Sequence, residues 1–356
     1  MKRACFCAVI AIVLTFGFVL APAQTNNYEF NDSHFHLTNY IQEGTDIREF
    51  LKIMGSTTGR VAIFGIPLQQ QWSYRVDGSN APTYYLNTDA PLYYYSFTDA
   101  WIAMAYKALP ERDRIRFDPM ITGFNPTDMY AADHIRRVLK TFPGVFTGIG
   151  EFSIHKEFVA AKIAGEVASL QDPALDRILD FAGEVGLVVL IHNDMDVPFA
   201  REGSEPAYLN QAKAVFRKHP KTTIIWAHTG MGRVVRPLRN HAQHVEEILA
   251  DPDFDHLYFD ISWDEVAKYI VSSPEATRIT ANLLQRYPDR FLFGTDEVAP
   301  SDREKYTRVY NQYNPLWSLL DEATSRKVRL TNYERIFDEA RRKVRAWESN
   351  HAAATN

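Results

Sequence analysis

The chain has 356 residues, with 39 Lys and Arg against 44 Asp and Glu, a formal charge of −5. That mild acidity argues against nucleic acid as a partner and leaves a small-molecule substrate open. Its two cysteines, Cys5 and Cys7, both lie within the first 24 residues, MKRACFCAVIAIVLTFGFVLAPAQ.

That segment has a basic start, a long apolar run and Ala21-Pro22-Ala23, the small-x-small pattern of a secretory signal. We expect residues 1–23 to be removed, and the product to be exported, periplasmic or secreted, with no membrane attachment afterwards. Loss of Lys2 and Arg3 leaves 37 basic against 44 acidic side chains, a net charge of −7. No cysteine then remains, which excludes disulfides, thiol nucleophiles and cysteine-ligated zinc. Residues 24–356 read as one domain, and oligomeric state, including a homo-oligomer, is open.

In chain order, apolar β-rich runs predict strands over 28–36, 60–68, 116–124, 144–152, 186–193, 222–229, 256–262 and 290–296. Their near-continuous apolar character suits a parallel sheet buried on both faces. Helical periodicity is clear over 46–54, 131–142, 173–185 and 274–287, and the tail reads as closing helices ending in a frayed HAAATN. Eight strands alternating with helices predict an α/β fold, a (β/α)8 TIM barrel. An aromatic-rich insertion after strand 2, at 69–98, interrupts the pattern and is placed to act as a lid over the barrel mouth.

The polar residues that break these strands sit at their C-terminal ends. Strand 1 carries His34 and His36 in FNDSHFHLTN, and strand 4 carries Glu151. Strands 5, 6 and 8 end in His192, His228 and Asp296. A lone histidine at a strand end is more often structural than ligating, and an isolated His-x-His is weak. Jointly, these six would meet at one face of a barrel, where such enzymes build their sites. His155, four residues past Glu151, Arg233 after strand 6 and Trp263 after strand 7 are candidate substrate contacts. Asp32 is placed to orient the strand-1 turn or a ligand histidine, while His241 and His244 read as surface residues of a helix.

The order His-x-His, Glu, His, His, Asp on strands 1, 4, 5, 6 and 8 resembles the amidohydrolase superfamily. Its nearest likeness is the branch that includes aminocarboxymuconate-semialdehyde decarboxylase. FGTD at 293–296, AHTG at 227–230 and NYERIF at 332–337 carry the likeness over roughly 28–345. The resemblance implies that His34, His36 and Asp296 hold a first divalent metal. In two-metal relatives Glu151 would bridge to a second ion on His192 and His228. In one-metal relatives His192 would complete the site and His228 would act on the substrate. Imidazole and carboxylate donors suit Zn²⁺, with Mn²⁺ and Fe²⁺ compatible. Such an ion lowers the pKa of bound water from 15.7 to about 7, and Asp296 is placed to take the proton. The implied activity is hydrolysis of an amide, lactone or ester. A metal-dependent non-oxidative decarboxylase is the alternative, and a non-catalytic ligand-binding barrel a third reading.

Overall fold

The computed structural model describes residues 28–38, 44–66, 79, 97–156, 168–201, 203–233 and 240–352. The expected signal segment and most of the aromatic insertion lie outside the described residues. The strands are β1 Phe30–His36, β2 Thr58–Phe64, β3 Phe117–Ile121, β4 Gly148–Ser153, β5 Val188–His192, β6 Ile224–Trp226, β7 Leu257–Asp260, β8 Phe291–Leu292 and β9 Glu297–Val298. All pair in parallel, in the order β8-β7-β6-β5-β4-β3-β2-β1-β9.

The result is a TIM-like α/β barrel, and each expected strand region holds a strand. One feature differs from the expectation of eight: the last strand is split. β8 pairs with β7 and β9 with β1, with Phe293–Asp296 between them. The bridge bonds on both sides: Trp263 N donates to Thr295 O at 3.3 Å and Asp296 N to His34 O at 2.7 Å. The break coincides with a positive φ of 52° at Asp296, which turns its side chain out of strand register.

Alternation along each strand sorts side chains into two apolar layers. Val189 and Ile191 of β5 pack outward against helices, whereas Val188 and Leu190 join Ala62, Phe64, Met120, Ile225 and Leu292 inside the barrel. Tyr333, Ile336, Phe337 and Ala340, from the closing helix Asn332–Ala352, complete that inner layer. Phe35 faces outward between the two histidines of β1. It stacks on Phe50 with centroids 4.0 Å apart and meets Tyr306 edge-on.

The helices Ile47–Met54, Ala131–Thr141, Pro173–Val185 and Pro274–Arg286 lie where periodicity places them. Asp46, Asp172 and Ser273 cap the first, third and fourth through side-chain oxygens, satisfying otherwise unpaired N–H groups. The final helix continues to Ala352, so the first residues of the expected frayed tail are helical. No helix among the described residues is long and apolar enough to cross a membrane.

Candidate metal centre

Strand alternation aims the site. In β5 the inward row Val188, Leu190 continues to His192, and in β1 the inward positions nearest the mouth are His34 and His36, on either side of outward Phe35. β4 has an irregular register between Ile149 and Phe152, and Glu151 lies there. His228 follows β6 with φ 57°, and its neighbour Thr229 has φ 54°. Trp263 after β7, at φ 76°, is also left-handed. Four non-glycine residues in that costly region, counting Asp296, gather at one end of the barrel, as strain does at functional sites.

The six strand-end residues converge. His34, His36, Glu151 and Asp296 form one group whose donor atoms all lie within 4.8 Å of one another. Asp296 Oδ1 lies 3.2 Å from His34 Nε2 and 3.0 Å from His36 Nε2. Glu151 Oε2 lies 3.3 Å from His36 Nε2 and 3.9 Å from His34 Nε2. Glu151, His192 and His228 form a second group. There Glu151 Oε1 is 2.7 Å from His192 Nδ1 and 3.7 Å from His228 Nε2.

Hydrogen bonds on the far side of each ring set which nitrogen faces inward. His36 Nδ1 lies 2.9 Å from Gly65 O, which can only accept, so Nδ1 carries the proton. His34 Nδ1 lies 3.0 Å from Asp260 Oδ2 with the same consequence. Ser262 Oγ donates to Asp260 Oδ1 at 2.5 Å and so accepts from His228 Nδ1 at 2.8 Å. His192 is turned about: Asp194 Oδ1 takes its Nε2 proton at 3.0 Å and leaves Nδ1 toward Glu151. Each ring therefore offers a lone pair to the centre.

Those lone pairs face carboxylate oxygens, and acceptors facing acceptors require a cation or protons between them. Their close approach shifts the proton affinities of the groups. Burial opposes charge on His34, yet Asp296 and Asp260 raise its pKa well above the ordinary value. Burial likewise opposes charge on Asp296, but His34 beside it holds the carboxyl well below its usual range. For Glu151 burial is outweighed by Lys156 and by His192, with the same downward outcome. Burial lowers His228, with the nearby Glu151 carboxylate opposing the shift. His34 Nε2 and His228 Nε2 are buried without a hydrogen-bond partner. Buried polar nitrogens seldom stay unsatisfied. Two such atoms aimed at carboxylates fit a divalent cation.

The other expected residues are placed around this cluster. Trp263 sits over it, its ring 5.0 Å from His228, and Arg233 lies 5.4 Å from the opposite party of that contact, the Trp263 ring. His155 stacks on Tyr208 at 3.7 Å, and its buried Nε2 lacks a hydrogen-bond partner. It is not among the converging donors. His241 is half-buried with Nε2 3.3 Å from Thr229 Oγ1, so its reading as a surface residue is corrected.

Sequence reasoning missed Asp260, Ser262, Asp194 and Lys156. Asp260 ends β7, so extending the strand-end search to strand 7 would have found it. Lys156 Nζ lies 2.9 Å from Glu151 Oε1 and 5.4 Å from the Trp263 ring. It follows β4 in a turn whose path has no sequence signature.

A family profile described as amidohydrolase matches residues 32–338. The chain belongs to the amidohydrolase family. Solved structures agree with that fold. An amidohydrolase of Burkholderia multivorans is similar with a TM-score of 0.53 at 12% identity, covering 87% of this chain and 99% of that one. A 5-carboxyvanillate decarboxylase of Sphingomonas paucimobilis reaches a TM-score of 0.51 at 12% identity, covering 87% and 99%. A proposed 2-pyrone-4,6-dicarboxylic acid hydrolase of Pseudomonas putida reaches 0.50 at 13% identity, covering 88% and 98%. No curated protein matches the sequence.

Proposed function

We propose that this amidohydrolase is an exported metal-dependent hydrolase acting on an amide, lactone or ester. The observation that carries the reading is the pair of buried, unpartnered Nε2 atoms of His34 and His228, aimed at Asp296 and Glu151. His34, His36, Glu151, His192 and Asp296 would supply the metal donors, with His228 joining them only where a second ion is held; Zn²⁺ fits them best, with Mn²⁺ or Fe²⁺ acceptable. When bound, a divalent ion acidifies water to a pKa of about 7 and polarises a substrate carbonyl.

The protein's own groups do the rest. Asp296, whose Oδ1 faces both β1 histidines, accepts the proton of the attacking water. His228, held by Ser262 through Nδ1, has Nε2 3.9 Å from Asp296 Oδ2; with one ion bound it takes the proton on from Asp296 and delivers it to the leaving group. Arg233, Trp263 and His155 are assigned to the substrate, with Arg233 suited to a carboxylate. Trp263 over the cluster narrows access for bulk water. Export rests on the Ala21-Pro22-Ala23 segment.

A non-oxidative decarboxylase is the second reading, since the same barrel carries a 5-carboxyvanillate decarboxylase. One experiment separates them. The mature chain is stripped with a chelator, reloaded with Zn²⁺ or Mn²⁺, and screened on esters, lactones and amides alongside unsaturated and aromatic carboxylates. Metal-restored turnover without CO₂ release supports the hydrolase. CO₂ release would replace it with the lyase, and a chain that binds no divalent ion would overturn both.

A further inference from the structure

The barrel closes unevenly where its last strand meets its first. Near the mouth, β9 pairs with β1 and Asp296 N donates to His34 O. Deeper in, β8 pairs among the described residues with β7 alone. The start of the closing helix fills that seam. Asn332 Nδ2 donates to Phe291 O and to Pro288 O, both at 2.8 Å. Asn31 Nδ2 of β1 donates to Leu330 O at 3.1 Å, and Phe293 N donates to Val328 O at 3.0 Å.

A carbonyl inside a helix is normally taken by the helix itself. Here the helical path from Glu322 to Ala352 contains one π turn, Lys327–Thr331. In an α-helix Asn332 N would donate four residues back, to Val328 O. It donates instead to Lys327 O, five residues back. The one extra residue of the π turn leaves Val328 O outside the helix ladder, and Phe293 N takes it. Val328 and Phe293 are both buried, so neither group can turn to water, and the bond is the way both are satisfied.

The anchored strand leads directly to a metal donor. Phe293 O accepts from Ser33 N at 3.1 Å and from Ser33 Oγ at 2.9 Å. Thr295 N donates to Asp32 Oδ1 at 2.9 Å. Asp296 follows in its left-handed conformation, which persists only where the surrounding backbone is held.

We propose that the π turn Lys327–Thr331 is a positioning element of the metal centre. Its displaced carbonyl fixes Phe293 and, through the three residues that follow, sets Asp296 Oδ1 against His34 and His36. The inference rests on the metal-dependent reading above. Val328, Asn332 and Asn31 are positioning residues, none of them among the converging donors.

Deleting Lys327 tests this. The deletion removes the extra residue, returns Asn332 N to Val328 O and leaves Phe293 N without its acceptor. Chelator-stripped protein is titrated with Co²⁺, with chelator competition for affinity and visible absorption for ligand geometry. The deletion should weaken binding about 10-fold or more and alter the Co²⁺ bands. Amide exchange gives a readout free of metal: Phe293 N should exchange slowly in the wild type and fast in the variant. Ser273→Ala, which removes a helix cap elsewhere, is the control for lost stability and should keep affinity and bands. A folded deletion variant with wild-type affinity and bands would overturn the inference, as would an equal loss of affinity in Ser273→Ala. Should the deletion fail to fold, Asn332→Ala breaks the bonds to Phe291 O and Pro288 O while keeping the turn. It carries the same expectation, and unchanged bands there would overturn the inference. A wild type that takes up no Co²⁺ fails the metal-dependent reading itself, and the inference with it.

Discussion

Asp260 Oδ2 lies 3.0 Å from His34 Nδ1, while Oδ1 of the same carboxylate accepts from His228 N at 2.7 Å. One side chain at the end of β7 thus fixes a ring from β1 and the backbone of the loop after β6. In Asp260→Asn, an amide oxygen kept toward His228 N turns the NH₂ toward His34 Nδ1. That nitrogen must then accept, which moves the ring proton to Nε2, the atom that faces the metal. We expect metal affinity to fall by about 10- to 100-fold with the fold intact. Chelator competition measures the affinity and far-ultraviolet circular dichroism the fold. Unchanged affinity would show that Asp260 does not control the His34 tautomer.

The strand ends were legible because parallel-barrel strands combine two signals: continuous apolar runs and polar residues confined to one end. His192 illustrates this, since it continues an inward row set by Val188 and Leu190. Asp32 is the orienting residue the sequence suggested. Its carboxylate accepts from His34 N at 3.0 Å and Thr295 N at 2.9 Å, tying β1 to the segment that carries Asp296. The split of the last strand was not legible, because a positive φ at an aspartate leaves no compositional mark. Lys156 escaped for a similar reason: its reach to Glu151 depends on a turn, and turns after barrel strands follow tertiary packing rather than periodicity. His241 misled because it sits on a helix away from every strand end, whereas Thr229 after β6 covers one ring nitrogen.

Asp99 joins the start of the helix Thr98–Lys107 to the end of β3. Its two oxygens accept from Thr122 N at 2.8 Å and Gly123 N at 2.9 Å. Burial pushes its carboxyl up to about 7 from 3.8, with those two bonds opposing the rise. Between those values the folded chain holds a proton that the unfolded chain has lost. The stabilisation is therefore full below pH 3.8 and fades as pH rises through about 7. Asp99→Asn does not titrate. The stability of the wild type relative to the variant should fall from about pH 4 to pH 7, by at most about 1.4 kcal/mol per pH unit. Urea unfolding across that range reads it, and a flat difference would place the Asp99 titration outside the window.

Gly294 lets the last strand press against the ligand-bearing one. A Cβ there would lie 2.6 Å from His34 Cβ and 3.0 Å from His34 N, closer than packed atoms tolerate. The backbone at His34 is held by Asp32, and its ring by Asp260, so the neighbour cannot yield freely. Gly294→Ala should cost about 1–3 kcal/mol through overpacking. It should also weaken metal binding, because His34 Nε2 would leave its 3.2 Å spacing from Asp296. Gly144 is the control: its φ is 81° and an added Cβ would meet nothing within 4 Å. Gly144→Ala pays only for the left-handed backbone, about 1 kcal/mol, far from the donors. Denaturant midpoints and metal titration of both variants separate the effects. Both should lose stability, but only Gly294→Ala should lose affinity. Equal affinity in the two would mean that β1 absorbs the added methyl without moving His34.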